Sequence, residues 1–163
     1  MELIIISGRS GSGKSVALRV VEDLGYYCVD NIPLNLLPSL VRSVSDSYNK
    51  IAVSVDVRNL PKEQQQFNEI LEYLPGFTKP TVFYLDSEDQ TLIKRFSETR
   101  RLHPLSIDSL PLDLAIKKEK QLLDVLINRA DYMIDTTDLS VHQLAESIRE
   151  KILGKKDKQL IIT

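Results

Sequence analysis

A chain of 163 residues, 42% hydrophobic and 27% charged, is long enough to bury one core and too apolar for a disordered segment. Its 21 Lys and Arg against 23 Asp and Glu leave a net charge of -2, which argues against a domain built mainly to grip nucleic acid electrostatically, although a local basic patch remains open. One cysteine excludes an internal disulfide, and no run approaches the ~18 apolar residues of a membrane-spanning helix.

The N-terminus enters "MELIIIS" with no basic n-region, so no signal peptide is expected and the chain reads as cytoplasmic. Residues 3–7, "LIIIS", are β-branched and nearly unbroken, the pattern of a buried strand. From Lys14 to Leu24 the apolar positions recur at helical spacing, and Gly25 stops the helix. "YYCVD" (26–30) predicts a second strand, in which Cys28 reads as a buried, inert thiol. After Asn31 a helical pattern follows, with Pro33 near its first turn and Pro38 expected to bend it.

"IAVSVDV" (51–57) predicts a third strand, followed by a helix marked by Phe67, Ile70, Leu71 and Leu74. "TVFYLD" (81–86) is a fourth strand, after which Ser87 and Gln90 suggest a capping box for a helix through about Arg101. Residues 102–112 look loop-like. A charged helix (113–129), a short strand (132–136) and a last helix complete the pattern. That last helix has Ser140 and Gln143 as a second box and Val141, Leu144, Ile148 and Ile152 on one face. Residues 154–159 read as a linker, and the terminal "LIIT" as a strand with nothing left to pair with. Five alternations of strand and helix predict an α/β fold: a three-layer arrangement of a parallel sheet with helices on both faces. The domain is expected to span 1–153, with 154–163 as linker and the start of a further, missing C-terminal domain.

Gly8, Gly13, Lys14 and Ser15 satisfy G-x-x-x-x-G-K-[ST], with a strand before and a helix after. In such a P-loop the backbone N–H groups of Gly8, Arg9, Ser10, Gly11, Ser12, Gly13, Lys14 and Ser15 turn around phosphate oxygens. Lys14 reaches the β- and γ-phosphates, Ser15 ligates Mg2+, and the helix N-terminus adds partial positive charge. A glycine-rich turn with a chance lysine is the plainer alternative, and the flanking strand and helix argue against it. A P-loop usually works with an acid at a neighbouring strand end. Asp30, Asp56 and Asp86 all occupy such ends, where open α/β sheets bind their ligands. Asp56 suits the metal or its bound water, Asp30 a substrate or base role, and Asp86 equally well a cap before Ser87. In "KRFSETRRLHP" (94–104), Arg95, Arg100 and Arg101 suit either a phosphate-clamping lid or a solvated helix face. His103 proves little by itself, and His142 reads as a surface residue.

"GRSGSGKSVALRVVEDLGYYCVDNIP", "DVRN" and "RFSETRRLHPL" together resemble the RapZ/YvcJ family of P-loop nucleotide-binding proteins, whose enterobacterial-type members are RNase adapter proteins. The similarity runs through nearly the whole chain and is far more specific than the P-loop alone. It implies a kinase-like P-loop domain binding ATP at Gly8 to Ser15, and a GTP-binding stretch at Asp56, Val57, Arg58 and Asn59. It also implies weak ATPase and GTPase activity, for which the reading of the residues offers Lys14 and Asp56 as the catalytic candidates and Ser15 and Asp56 as the metal ligands. Adapter members present a small RNA that controls amino-sugar synthesis to an endoribonuclease, and RNA binding is linked to a C-terminal domain that follows this one. Two readings of Asp56 compete, since a carboxylate can pair with a guanine edge or hold Mg2+ beside the P-loop. A small-molecule or nucleoside-monophosphate-like kinase is the alternative function, and a vestigial P-loop scaffold a third. No acceptor, effector or oligomeric state is defined by the residues, and a homo-oligomer stays open.

Overall fold

β1 (Glu2–Gly8) is the centre of the molecule because it is apolar on both faces, and only a strand with neighbours on both edges and helices on both sides can be buried so. In the computed structural model, which describes residues 1–9, 11–56, 64–99 and 111–162, Leu3, Ile4, Ile5 and Ile6 are all at most 4% exposed. The other elements follow in chain order: α1 (Lys14–Asp23), β2 (Tyr27–Val29), a 3-10 turn (Leu34–Leu36), α2 (Leu37–Val44), β3 (Lys50–Ser54) and α3 (Gln64–Glu72). Then come β4 (Lys79–Asp86), α4 (Asp89–Thr99), α5 (Leu112–Leu122), α6 (Asp124–Ile127), β5 (Tyr132–Asp135) and α7 (Val141–Ile162).

The sheet order is β2-β3-β1-β4-β5 and every pairing is parallel, as the alternation of strand and helix predicts. Odd and even residues of β1 feed two cores. Leu3 and Ile5 join Leu37, Val41, Phe67 and Leu126, from α2, α3 and α6, on one face. Ile4 and Ile6 join Ala17, Val21, Ile148 and Ile152, from α1 and α7, on the other. Because both faces are apolar, alternation alone does not fix the register of β1. Its C-terminal end does: Gly8 lies opposite Leu85, and a Cβ there would stand 2.1 Å from the Leu85 carbonyl oxygen. Only glycine fits that crossing, so the pairing is pinned where the strand turns into the loop.

Several boundaries differ from the sequence expectation. Pro38 sits in the first turn of α2, where its missing N–H costs nothing, so it starts the helix and does not bend it. α4 begins at Asp89, and the Ser87 hydroxyl lies 3.3 Å from that of Thr137, so no box forms between Ser87 and Gln90. The expected 113–129 helix is broken at Leu123, which is fully buried together with Leu126. The Ser140–Gln143 box is formed, with reciprocal bonds of 2.9 and 3.1 Å. Val141 is 68% exposed because it lies in the first turn of α7, and the buried stripe begins only at Leu144. α7 then continues to Ile162, where the sequence suggests a linker and a strand. Residues 154–162 contain no proline and mostly good helix formers, so a helix already nucleated propagates through them.

Candidate functional site

The turn between β1 and α1 lies at the carboxyl end of the central strand. Gly8, Gly11 and Gly13 all have φ between +86° and +145°, so the loop is built on backbone conformations that side chains disfavour. Gly13 is the N-cap of α1, no side chain caps it, and the first turn contains no acid. A helix start without a side-chain cap or an acid in its first turn, and with the partial positive charge of its backbone N–H groups, suits an anion. Lys14 is half-buried and Ser15 exposed at this helix start. Ser12, fully buried, donates both its N–H (3.1 Å) and its hydroxyl to the Arg9 carbonyl, closing a turn inside the loop. Ser10 lies outside the described residues.

Arg9 is the largest fully buried side chain among the described residues, only 1% exposed. Its Nε donates to Asp86 Oδ1 at 2.7 Å, and its two terminal nitrogens donate to Asp89 Oδ1 and to the Ser87 carbonyl. The side chain therefore ties the loop to the end of β4, leaving only its backbone for a ligand. Asp86 also accepts the Ser87 N–H at 2.8 Å, so of the three strand-end acids this one serves the turn. The Arg9 hydrogen bond holds the Asp89 carboxyl below the usual carboxylate range, burial opposing it.

On the other side of β1 the pairing with β3 continues past its last ladder pair, since Val55 N–H donates to Ile6 O at 3.0 Å and Ser7 Oγ donates to Val55 O at 3.2 Å. Asp56, half-buried, follows immediately, which brings it level with the start of the cradle. One strand further out, Asp30 is exposed and accepts the Ser54 hydroxyl, while Asn31 donates its N–H to Ser54 Oγ at 2.8 Å. Asn31 has φ +55°, the one non-glycine in the left-handed region among the described residues. Val57, Arg58 and Asn59 of the expected guanine stretch lie outside the described residues, as do Arg100, Arg101 and His103. His142 is exposed on α7. Cys28 is half-buried, and burial, helped by Glu22, pushes its thiol up to about 11, so it stays protonated at neutral pH.

Two site residues escape the sequence reading in different ways. Arg95, a clamp candidate by sequence, donates instead to protein carbonyls: Nη1 to Gly11 O at 2.8 Å and Nη2 to Thr136 O at 2.8 Å. Thr136, which no motif marks, is 1% exposed and donates its hydroxyl to Ser12 O at 2.9 Å. The only sequence signal for it is its place, directly after a strand that ends beside β4.

A glycine-rich cradle at the end of a central parallel strand, closed by Gly-Lys-Ser on a helix start, defines a P-loop protein of the kinase-like α/β class. Solved structures agree. A sugar kinase from Janibacter sp. superposes with a TM-score of 0.65 at 17% identity, covering 96% of this chain and 95% of that one. Shikimate kinase from Acinetobacter baumannii gives 0.62 at 17% identity, covering 94% of each chain. At these identities the likeness is one of fold. The chain belongs to the family of the RapZ-like N-terminal domain, whose profile matches residues 1–156. A protein of Pseudoalteromonas translucida named a nucleotide-binding protein is 88% identical over 163 residues, which are 100% of this chain and 58% of that protein. The RNase adapter protein RapZ of Salmonella paratyphi B is 52% identical over 160 residues, 98% of this chain and 56% of that one. The chain thus spans less than three fifths of the length of these curated relatives. Among the described residues, no helix is long and apolar enough to cross a membrane.

Proposed function

We propose that this chain is the nucleoside-triphosphate-binding domain of an RNase adapter protein, and that it binds ATP or GTP with Mg2+ at residues 8–15. The observation that carries the reading is the uncapped N-terminus of α1, with Lys14 and Ser15 on it and the β1 carboxyl end beneath. The fit to a metal-bound triphosphate is chemical: one hydroxyl, Ser15, and one carboxylate, Asp56, suit a hard ion that takes one or two protein ligands and otherwise phosphate oxygens and water. Bound there, Mg2+ supplies charge neutralisation of the phosphate oxygens. Lys14 orients the β- and γ-phosphates, and Asp56 positions the metal or its water for weak ATPase and GTPase activity. The alternative role for Asp56, with Val57, Arg58 and Asn59, is to pair with a guanine edge.

In the whole protein, residues 1–153 form the nucleotide domain and a further C-terminal domain carries most of the RNA binding. Nucleotide occupancy then regulates how a small RNA governing amino-sugar synthesis reaches its endoribonuclease in the cytoplasm, in a protein that can assemble as a homo-oligomer. The names of the relatives support the adapter part of this reading, and the net charge of -2 supports assigning RNA elsewhere. Calorimetric titration with MgATP and MgGTP tests the nucleotide reading, which fails if neither binds.

A second reading, a small-molecule kinase, draws on Asp30, an exposed carboxylate held by Ser54 at a strand end on the ligand side of the sheet. Transfer of labelled phosphate from ATP to any of a panel of sugar and nucleoside acceptors would favour it.

A further inference from the structure

Resting on the nucleotide reading above, we infer that Thr136 and Arg95 are positioning residues that pre-set the peptide planes of the phosphate cradle. Residues 8–13 include three glycines at positive φ, and glycine imposes little preference of its own. The orientation of these peptides must therefore be set by the hydrogen bonds they make. The bonds from Ser12 to the Arg9 carbonyl close a turn within the loop and anchor it to nothing else. The Arg9 side chain anchors its first residues to β4. The second half is held by Thr136 and Arg95.

The Thr136 hydroxyl lies 2.9 Å from the Ser12 carbonyl and 3.2 Å from Asp86 O, which already takes the Thr136 backbone N–H at 2.7 Å, so the Ser12 carbonyl is the nearer and less occupied acceptor. Arg95 Nη1 donates into the same hydroxyl oxygen at 3.2 Å, which turns its proton towards Ser12. In a trans peptide the carbonyl and the next N–H point in opposite directions. Drawing Ser12 O towards the β5–α7 turn therefore turns the Gly13 N–H the other way, while Arg95 on Gly11 O and the Ser12 N–H on the Arg9 carbonyl fix the Gly11–Ser12 peptide at both ends. Arg95 also fixes the Thr136 carbonyl, so arginine, threonine and loop act in series. With Thr136 only 1% exposed, water cannot readily replace its hydroxyl. An arriving phosphate meets a loop whose second half is already set and does not have to order it, the gain expected of preorganisation.

The test compares Thr136→Val, Thr136→Ser and Arg95→Lys in this chain, titrated with MgATP and with magnesium tripolyphosphate, which has phosphates and no base. Circular dichroism and melting temperature establish that each variant is folded. Thr136→Val should weaken both ligands by the same factor, about fivefold, and Thr136→Ser should restore them. Arg95→Lys, whose single ammonium cannot fork to two carbonyls, should weaken both by about tenfold. Wild-type affinity for both ligands in folded Thr136→Val and Arg95→Lys overturns the inference, and so does a loss confined to ATP, which would make these residues contacts of the base. Failure of the wild-type chain to bind either ligand overturns the nucleotide reading itself, and the inference with it.

Discussion

The two flanks of the central strand's carboxyl end are built in opposite ways. On the β4–β5 flank, charge is turned inward: Arg9 is buried between Asp86 and Asp89, and Arg95 reaches loop and strand-end carbonyls. On the β3–β2 flank Asp56 is half-buried, as Asp86 and Asp89 are, and Asp30 is exposed, with Ser54 steadying the turn. The β4–β5 flank is scaffold for the loop, and the β3–β2 flank is the one to which the proposed function assigns the chemistry. Of three strand ends that carry the same residue type, the one at Asp86 is committed to the scaffold by Arg9.

The change expected to separate the flanks most is at the cradle itself, which neither supports alone. Lys14→Ala should lower MgATP affinity about a hundredfold, the loss of charge-assisted bonds to phosphate, with little change in melting temperature. Calorimetry reads the first and thermal denaturation the second, and an unchanged affinity would move the phosphate elsewhere.

Arg9→Met attacks the scaffold flank. It leaves two carboxylates together without their cation, and since both are partly hydrated the cost should be about 2 kcal/mol and not the full penalty of a wholly buried pair. Urea denaturation measures it. The pH dependence has a definite sign. The Asp89 carboxyl is held below its ordinary range in the folded state, so its contribution is present above that range and is lost as pH falls through the lowered value. Arg9→Met should therefore flatten the acid limb of the stability profile, and an unaltered acid limb would show that Asp89 gains nothing from the pair.

On the chemical flank the effects should be smaller and functional. Asp56→Asn is expected to slow hydrolysis about tenfold with MgATP binding nearly intact. Loss of GTP affinity alone would assign Asp56 to the base, and no effect on either nucleotide would remove it from the site. Asp30→Asn should be the mildest, under about 1 kcal/mol in stability, because the amide oxygen still accepts from Ser54. Nucleotide affinity should stay within about twofold, and a larger loss would draw Asp30 into the phosphate site.

The fold was legible because apolar runs and helical spacing are local signals, and the P-loop because each of its residues is demanded by one loop geometry. Asp86 was ambiguous for a physical reason: its partner, Arg9, is 77 residues away, and no spacing rule joins them. Thr136 was invisible because its importance comes from what β5 lies beside, not from its neighbours in sequence. Val141 was misplaced by counting a periodic stripe into the first turn. The Ser87 box failed where the Ser140 box held, since Ser87 meets Thr137 across the strand ends while Ser140 has no such competitor among the described contacts.

The central place of β1 also governs how the chain is made. Glu2–Gly8 leaves the ribosome before both of its edge partners, Lys50–Ser54 and Lys79–Asp86. At about 5–20 residues per second, the most apolar segment waits roughly 4 to 16 seconds for its second partner. Through that interval "LIIIS" has at least one open edge in a nascent chain, the kind of β-branched segment that aggregates or recruits a chaperone. Synthesis stalled before Lys79 leaves that strand short of its longest pairing, and slowing translation between β3 and β4 should lower the soluble yield more than slowing it after Asp86.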